Sequence, residues 1–230
     1  MYNIIKKVIA LTLLAILFCS CSTNKVSMKI IKNDYETDSE IVNLEVPEFE
    51  KLGTKEFSDE MNANYEQFSA DLLNSFITDS NNLSENRTGK SKLEMKQETK
   101  YNENGLYSLI SEIYEYTEGT YGVSKRRVLN VDVNNSSVIL LEDLFSDDAY
   151  KDMLNSKLEK LSEDSMYSDL WEKPVICDEQ NEYFYFTDKG LVIFYPPYEL
   201  SYYARGFVEF TIPYSELYGY LKPEYSMLYR

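Results

Sequence analysis

The sequence predicts an α+β fold with a mainly antiparallel sheet, two longer helices and a short C-terminal helix. Two stretches carry apolar residues at helical spacing. Several others alternate or run apolar between turn residues, as strands do. The order is strand, helix, strands, helix, strands, short helix, which matches segregated α+β layers rather than alternating parallel units.

The chain opens with a leader pattern over residues 1–20. Lys6 and Lys7 precede residues 8–18, an apolar run broken only by Thr12. Such a run fits the roughly 7–15-residue apolar region of a secretory signal. It falls short of the ~18–20 residues a membrane-spanning helix needs. The run ends in Phe18-Cys19-Ser20-Cys21. Lipoprotein processing needs a small residue before the modified cysteine, and Ser20 supplies it for Cys21. Cys21 is therefore the expected lipidation site, and the exported protein is expected on the outer face of the membrane. More than one acyl chain gives a stable anchor, at about 0.8 kcal/mol per buried methylene.

Residues 21–40 are polar and read as a tether, with a first strand near 26–31. Residues 41–222 read as the α+β domain, divisible near 120 into two sub-lobes, and 223–230 as a tail. The strand at 41–46 should stop at Pro47. Phe57, Met61, Tyr65, Phe68, Leu72 and Phe76 then form one helical stripe, with Thr54 placed as N-cap. Residues 79–91 form a loop, followed by a strand around Leu93 and Met95. The Asn102-Glu-Asn-Gly105 turn leads into strands at 106–117 and 123–133, and a further strand is expected at 138–141. A second helix after Ser146 carries Tyr150, Leu154, Leu158 and Leu161 on one face. Residues 183–186 and 191–195 form a hairpin around Thr187-Asp-Lys-Gly190. Residues 207–212 form the last strand, and Pro213 starts a short helix over 214–221.

Composition narrows the function classes. There are 39 acidic and 23 basic residues, a formal charge of −16, and no histidine. Loss of Lys6 and Lys7 with the leader would leave 21 basic against 39 acidic residues, or −18. Such a chain is not expected to bind nucleic acid through phosphates. It attracts cationic proteins through salt-sensitive steering. The lack of histidine removes histidine triads and histidine metal sites. There is no Gly-x-Ser-x-Gly elbow, phosphate loop, His-Glu-x-x-His or EF-hand spacing, so neither an enzyme nor a cofactor is expected. The acid pairs Glu142-Asp143 and Asp147-Asp148 suit helix starts. Cys177 reads as a small buried residue.

Eleven of the 21 tyrosines lie from Tyr183 onward. The loop Tyr195-Pro-Pro-Tyr-Glu-Leu-Ser-Tyr-Tyr-Ala-Arg-Gly206 is stiffened by two prolines. Tyrosine offers large contact area with a polar tip, which suits protein interfaces and sugar faces. Tyr198, Glu199, Tyr202, Tyr203 and Arg205 are the ligand-binding candidates in it. Arg205 could instead pair with Glu199 and fix the loop.

One series of blocks carries a resemblance: Tyr114-Glu-Tyr-Thr-Glu-Gly119, Leu129-Asn-Val-Asp132, Ile139-Leu-Leu-Glu-Asp-Leu-Phe145, Phe184-Tyr-Phe-Thr-Asp-Lys-Gly-Leu-Val-Ile-Phe194, Tyr198-Glu-Leu-Ser-Tyr-Tyr-Ala-Arg-Gly206 and Phe210-Thr-Ile-Pro213. The series resembles the extracellular domain of unknown function found in a lysozyme-sensing anti-sigma factor and ahead of certain peptidoglycan deacetylases. Val46-Pro47 and Met61-Asn62 are similar to the segment that precedes that domain, so the resemblance covers about residues 41–221. Where the family has Tyr-Thr-Gly-Gly-Ala-His, this chain has Tyr116-Thr-Glu-Gly-Thr-Tyr121, with Glu118 and Tyr121 at the changed positions. Tyr116, Glu118 and Tyr121 join the ligand-binding candidates. The sequence holds no Thr-Phe-Asp-Asp-Gly deacetylase motif. The resemblance implies a docking module alone, held on lipid. Its expected partner is a cationic, lysozyme-like protein; docking of peptidoglycan is the alternative, and an enzyme acting on envelope glycan ranks last.

Overall fold

The structure is a computed structural model that describes residues 25–82, 89–117, 121–177 and 181–229. The leader, including Cys21, lies outside the described residues. The fold is α+β. Strands β1 (Met28–Glu36), β2 (Glu40–Phe49), β3 (Ser91–Glu103), β4 (Leu106–Tyr116), β5 (Val123–Asp132) and β6 (Ser137–Val138) form a large sheet in that order. Its one parallel pair, β2 with β3, is joined by helix α1 (Lys55–Asn81). Strands β7 (Phe184–Thr187), β8 (Gly190–Tyr195) and β9 (Val208–Ile212) form a small antiparallel sheet. Helix α2 (Ala149–Ser162) packs on the small sheet's outer side.

The stripe on α1 packs as its spacing predicts. Met61, Tyr65 and Phe76 are buried with Val42, Leu44, Leu93 and Met95 of the sheet, while Phe57, Phe68 and Leu72 are partly buried. The Thr54 hydroxyl accepts from Phe57 N–H at 3.2 Å, so the cap lies where the sequence placed it.

Pro47 does not stop β2. Glu50 N–H donates to Ser27 O, which sets the even residues of β2 facing β1. The Pro47 nitrogen therefore faces the other side, where the ladder to β3 has already ended at Leu44. A proline costs no ladder bond there. Gln97 bridges the divergence: its N–H and its Nδ-equivalent amide nitrogen, Nε2, bond the Glu45 carboxylate and carbonyl.

Strand β4 is buried on both faces, which explains its near-continuous apolar run. Tyr107, Leu109 and Ile113 face α1, and Ile110 faces the small sheet. Asn104 (φ 56°) and Gly105 (φ 76°) form the two-residue turn between β3 and β4, which needs positive φ at both positions. A bulge at Thr99/Tyr101 shifts the register. It hands Tyr101 from the α1 side to the second core, beside Leu106 and Phe186.

The two sheets are joined by buried polar groups. The outward backbone groups of β7 point at the large sheet. Phe186 N–H donates to Ser108 Oγ at 3.0 Å, and Asn130 Nδ2 donates to Phe184 O at 2.8 Å. Ser108 Oγ in turn donates to Asn130 Oδ1 at 2.5 Å. The edge of the small sheet is thus closed by side chains from β4 and β5. Nearby, Arg126 bonds Glu112 and Glu209, and its guanidinium lies 4.1 Å from the Phe207 ring centroid.

Several expectations need correction. β1 runs to Glu36, because Met28 through Glu36 find a full antiparallel partner in β2, so much of the expected tether is sheet. The boundary near 120 is not one between cores, since β5 belongs to the large sheet. The expected strand at 138–141 shortens to Ser137–Val138 and gives way to a 3₁₀ turn at Leu141–Leu144. The C-terminal helix is a single 3₁₀ turn at Tyr214–Glu216. The expected tail is a 3₁₀ segment, Pro223–Tyr229, that buries Tyr225 and Leu228 in the second core. Cys177 is exposed, not buried, in a stretch without regular structure.

Candidate functional site

The structure brings the two candidate segments together. The Tyr203 hydroxyl donates to Gly122 O and accepts from Ser124 N–H at 2.9 Å. One phenol therefore ties the loop after β8 to the start of β5. Tyr198 lies on Tyr203 with ring centroids 5.3 Å apart and planes 35° from parallel. A Cβ at Gly122 would sit 2.4 Å from the Tyr114 ring, so any larger residue at this junction displaces that ring.

Tyr198 has φ 74°, a backbone region that bulky residues rarely adopt and that costs roughly 1–3 kcal/mol. The residue is nonetheless 66% exposed. Strain of this kind persists only where the surroundings impose it, and it gathers at binding sites. Tyr202 and Tyr121 are also exposed. Tyr116 lies half-buried at the end of β4, opposite Lys92. Glu118 lies outside the described residues.

A second wall comes from residues the sequence did not single out. Trp171 N–H donates to Leu200 O and its ring nitrogen to Glu199 O, while the ring remains about half exposed. Arg205 does not pair with Glu199. It bonds Asp169 at 2.6 Å and Met166 O at 2.7 Å, which locks the loop to the 3₁₀ turn Ser165–Tyr167. Burial opposes ionisation of Asp169, but its own backbone amide, the Ser201 hydroxyl and Arg205 together hold its carboxyl below the usual range. Exposed Met166 and the exposed acids Asp164, Glu172 and Glu199 complete the surface. Trp171 had one available signal: it is the single tryptophan, a residue type enriched at the centres of interfaces. No periodicity surrounds it.

The arrangement offers contact area and hydrogen-bonding tips. The paired acids serve local structure: Asp143 accepts from Leu140 N–H and Asp147 from Ala149 N–H. Among the described residues, no group of three or more acids or cysteines is placed to hold a metal ion. No described helix is long and apolar enough to cross a membrane.

Comparison with known proteins covers this same region. Residues 142–215 match the family described as "Protein of unknown function (DUF3298)". The matched segment comprises α2, the whole small sheet and the Tyr198–Arg205 loop. The chain is 26% identical over 188 residues to the anti-sigma-V factor RsiV of Bacillus subtilis (strain 168). That alignment covers 77% of this chain and 64% of RsiV, so the chain spans less than two thirds of this relative. Two crystal structures of DUF3298 proteins share the fold. One, from Bacteroides fragilis, has a TM-score of 0.64 at 19% identity and covers 88% of this chain and 96% of its own. The other, from Pseudomonas aeruginosa PAO1, has a TM-score of 0.67 at 14% identity and covers 88% and 97%.

Proposed function

We propose that this chain is an extracytoplasmic binding module that docks a cationic envelope protein, lysozyme first among them, on the surface around Tyr198. The observation that carries the reading is Tyr198 itself: a strained backbone holding an exposed ring where two loops are clamped together. Tyr202, Tyr121 and Trp171 extend that apolar area, and the flanking acids complement a basic partner. Similarity to an anti-sigma factor supports a sensing or docking role. A lipid on Cys21 would hold the module at the outer face of the membrane. The role is binding, not catalysis.

Calorimetry with hen lysozyme at low and physiological salt tests this. Binding is expected at both, weaker at the higher salt, and at least tenfold weaker for Tyr198→Ala or Trp171→Ala. Absence of binding at either salt refutes the lysozyme reading. A second reading, docking of peptidoglycan glycan, rests on the exposed Trp171 ring, since flat rings also stack on sugars. It predicts co-sedimentation with purified peptidoglycan that survives moderate salt and is lost in Trp171→Ala. Cys21→Ser should release the protein into the medium; retention on the membrane would refute a lipid-only anchor.

A further inference from the structure

Strand β5 has an open edge that the tyrosine surface does not use. β6 pairs with β5 only at Val131 and Asp132, and Ile139 N–H adds one bond to Asn130 O. That bond sets the even residues of β5 facing outward, away from β4. Ser124 obeys the rule, for its N–H goes to Tyr203. Between these two fixed points, the N–H and C=O of Arg126 and Val128 point out of the sheet and take no backbone partner among the described residues. They open into a groove of about 420 Å³ between α1 and the 138–140 and 181–183 segments.

The groove also differs in charge from the rest of the molecule. In a chain with 39 acids, its lining holds two arginines and a single acid, Glu182. Arg126 is satisfied by Glu112 and Glu209. Arg127 has no carboxylate within salt-bridge distance among the described residues. It lies over the Tyr65 and Phe68 rings and bonds Asn64 through Nη2, while Nη1 is buried without a hydrogen-bond partner. Arg127 is on the α1 face, so it flanks one side of any strand added at this edge.

We infer that the open β5 edge binds an extended peptide segment carrying a carboxylate opposite Arg127. Such a segment would add an antiparallel strand, exchanging backbone bonds with Arg126 and Val128. The residue opposite Arg127 turns its own N–H away from β5 and its side chain toward the guanidinium. This site is separate from the Tyr198 surface and stands or falls without it.

The test uses the ¹⁵N-labelled protein and the peptide Ac-Thr-Val-Glu-Val-Thr-NH₂. The Arg126 and Val128 amides are expected to shift and to exchange more slowly with solvent. The same peptide with lysine in place of glutamate should bind at least tenfold more weakly, and Arg127→Gln should erase that difference. Val128→Pro should abolish binding, and proline there removes an N–H that β4 does not use. N-methylation gives the same test without altering the protein. A methyl on either valine nitrogen should abolish binding, and a methyl on the glutamate nitrogen should be tolerated. Unmoved Arg126 and Val128 amides, equal affinity for the glutamate and lysine peptides, or equal loss from all three methylations would overturn the proposal.

Discussion

Ser108→Ala removes one hydroxyl from the centre of the molecule, and the structure states what is lost. Ser108 is fully buried, accepts from Phe186 N–H and donates to Asn130 Oδ1. Alanine leaves that N–H buried without an acceptor, which costs about 1–3 kcal/mol, and takes the donor from Asn130, about 1 kcal/mol more. The expected loss is therefore about 3 kcal/mol. At ~2–4 °C per kcal/mol for a domain of this size, the melting temperature should fall by roughly 6–12 °C. Urea unfolding and a thermal circular-dichroism scan measure both quantities. Ser111→Ala is the control: it too is buried, but its hydroxyl donates to the Gln97 side chain and strands no backbone group, so about 1 kcal/mol is expected. A double-mutant cycle with Asn130→Ala should show coupling of about 1 kcal/mol or more. A Ser108→Ala loss below about 0.5 kcal/mol, the range of ordinary surface changes, would refute the claim that these side chains close the small sheet's edge.

Four further outcomes follow from the geometry. Tyr203→Phe removes both bonds to residues 122–124 and should cost about 1–2 kcal/mol by urea unfolding, while lowering lysozyme affinity more than any change in global fold explains. Gly122→Ala should disorder the same junction by displacing Tyr114, visible as altered near-ultraviolet circular dichroism with far-ultraviolet signal retained. Arg126→Ala takes the shared cation from Glu112 and Glu209, two carboxylates that stay partly exposed, and should cost about 1 kcal/mol in the same unfolding assay. The Tyr107 phenol is pushed up to about 12, chiefly by burial. An unfolded tyrosine ionises near 10, so its contribution to stability is whole below pH 10 and is lost as pH climbs toward 12; unfolding at pH 9, 10.5 and 12 should show a decline that begins in the lower interval and is larger in the upper one.

The sequence disclosed elements whose signal is local. The α1 stripe and the Thr54 cap, the Asn104-Gly105 turn and the β7–β8 hairpin all depend on neighbours in the chain. What it concealed depends on partners far away. Pro47 reads as a stop until the end of the β2–β3 ladder is known. β1 looks like tether because it is an edge strand with seven of its nine residues exposed, leaving little apolar alternation to read. Tyr225 and Leu228 look like a tail because the core they enter is built by α2 and the small sheet. At the candidate site, the tyrosines of 198–203 were legible from crowding in a proline-stiffened loop. Their union with Tyr121 through Tyr203, and the contribution of Trp171 and Asp169, were not, since they lie about 30–80 residues apart and follow no pattern.

The entry point of the chain into the sheet carries a consequence for orientation. Val26 is gripped at backbone N–H and C=O by the Asn102 side chain, and Lys25 pairs with Glu103, both beside the β3–β4 turn. The tyrosine surface grows from the opposite end of β4 and β5, past Tyr116 and Val123. At ~3.4 Å per residue, the eleven residues of β4 put the two about 35 Å apart. A lipid on Cys21 would thus fasten the domain by one pole and turn the aromatic pole outward, clear of the headgroups, where a large soluble protein can approach without meeting the bilayer.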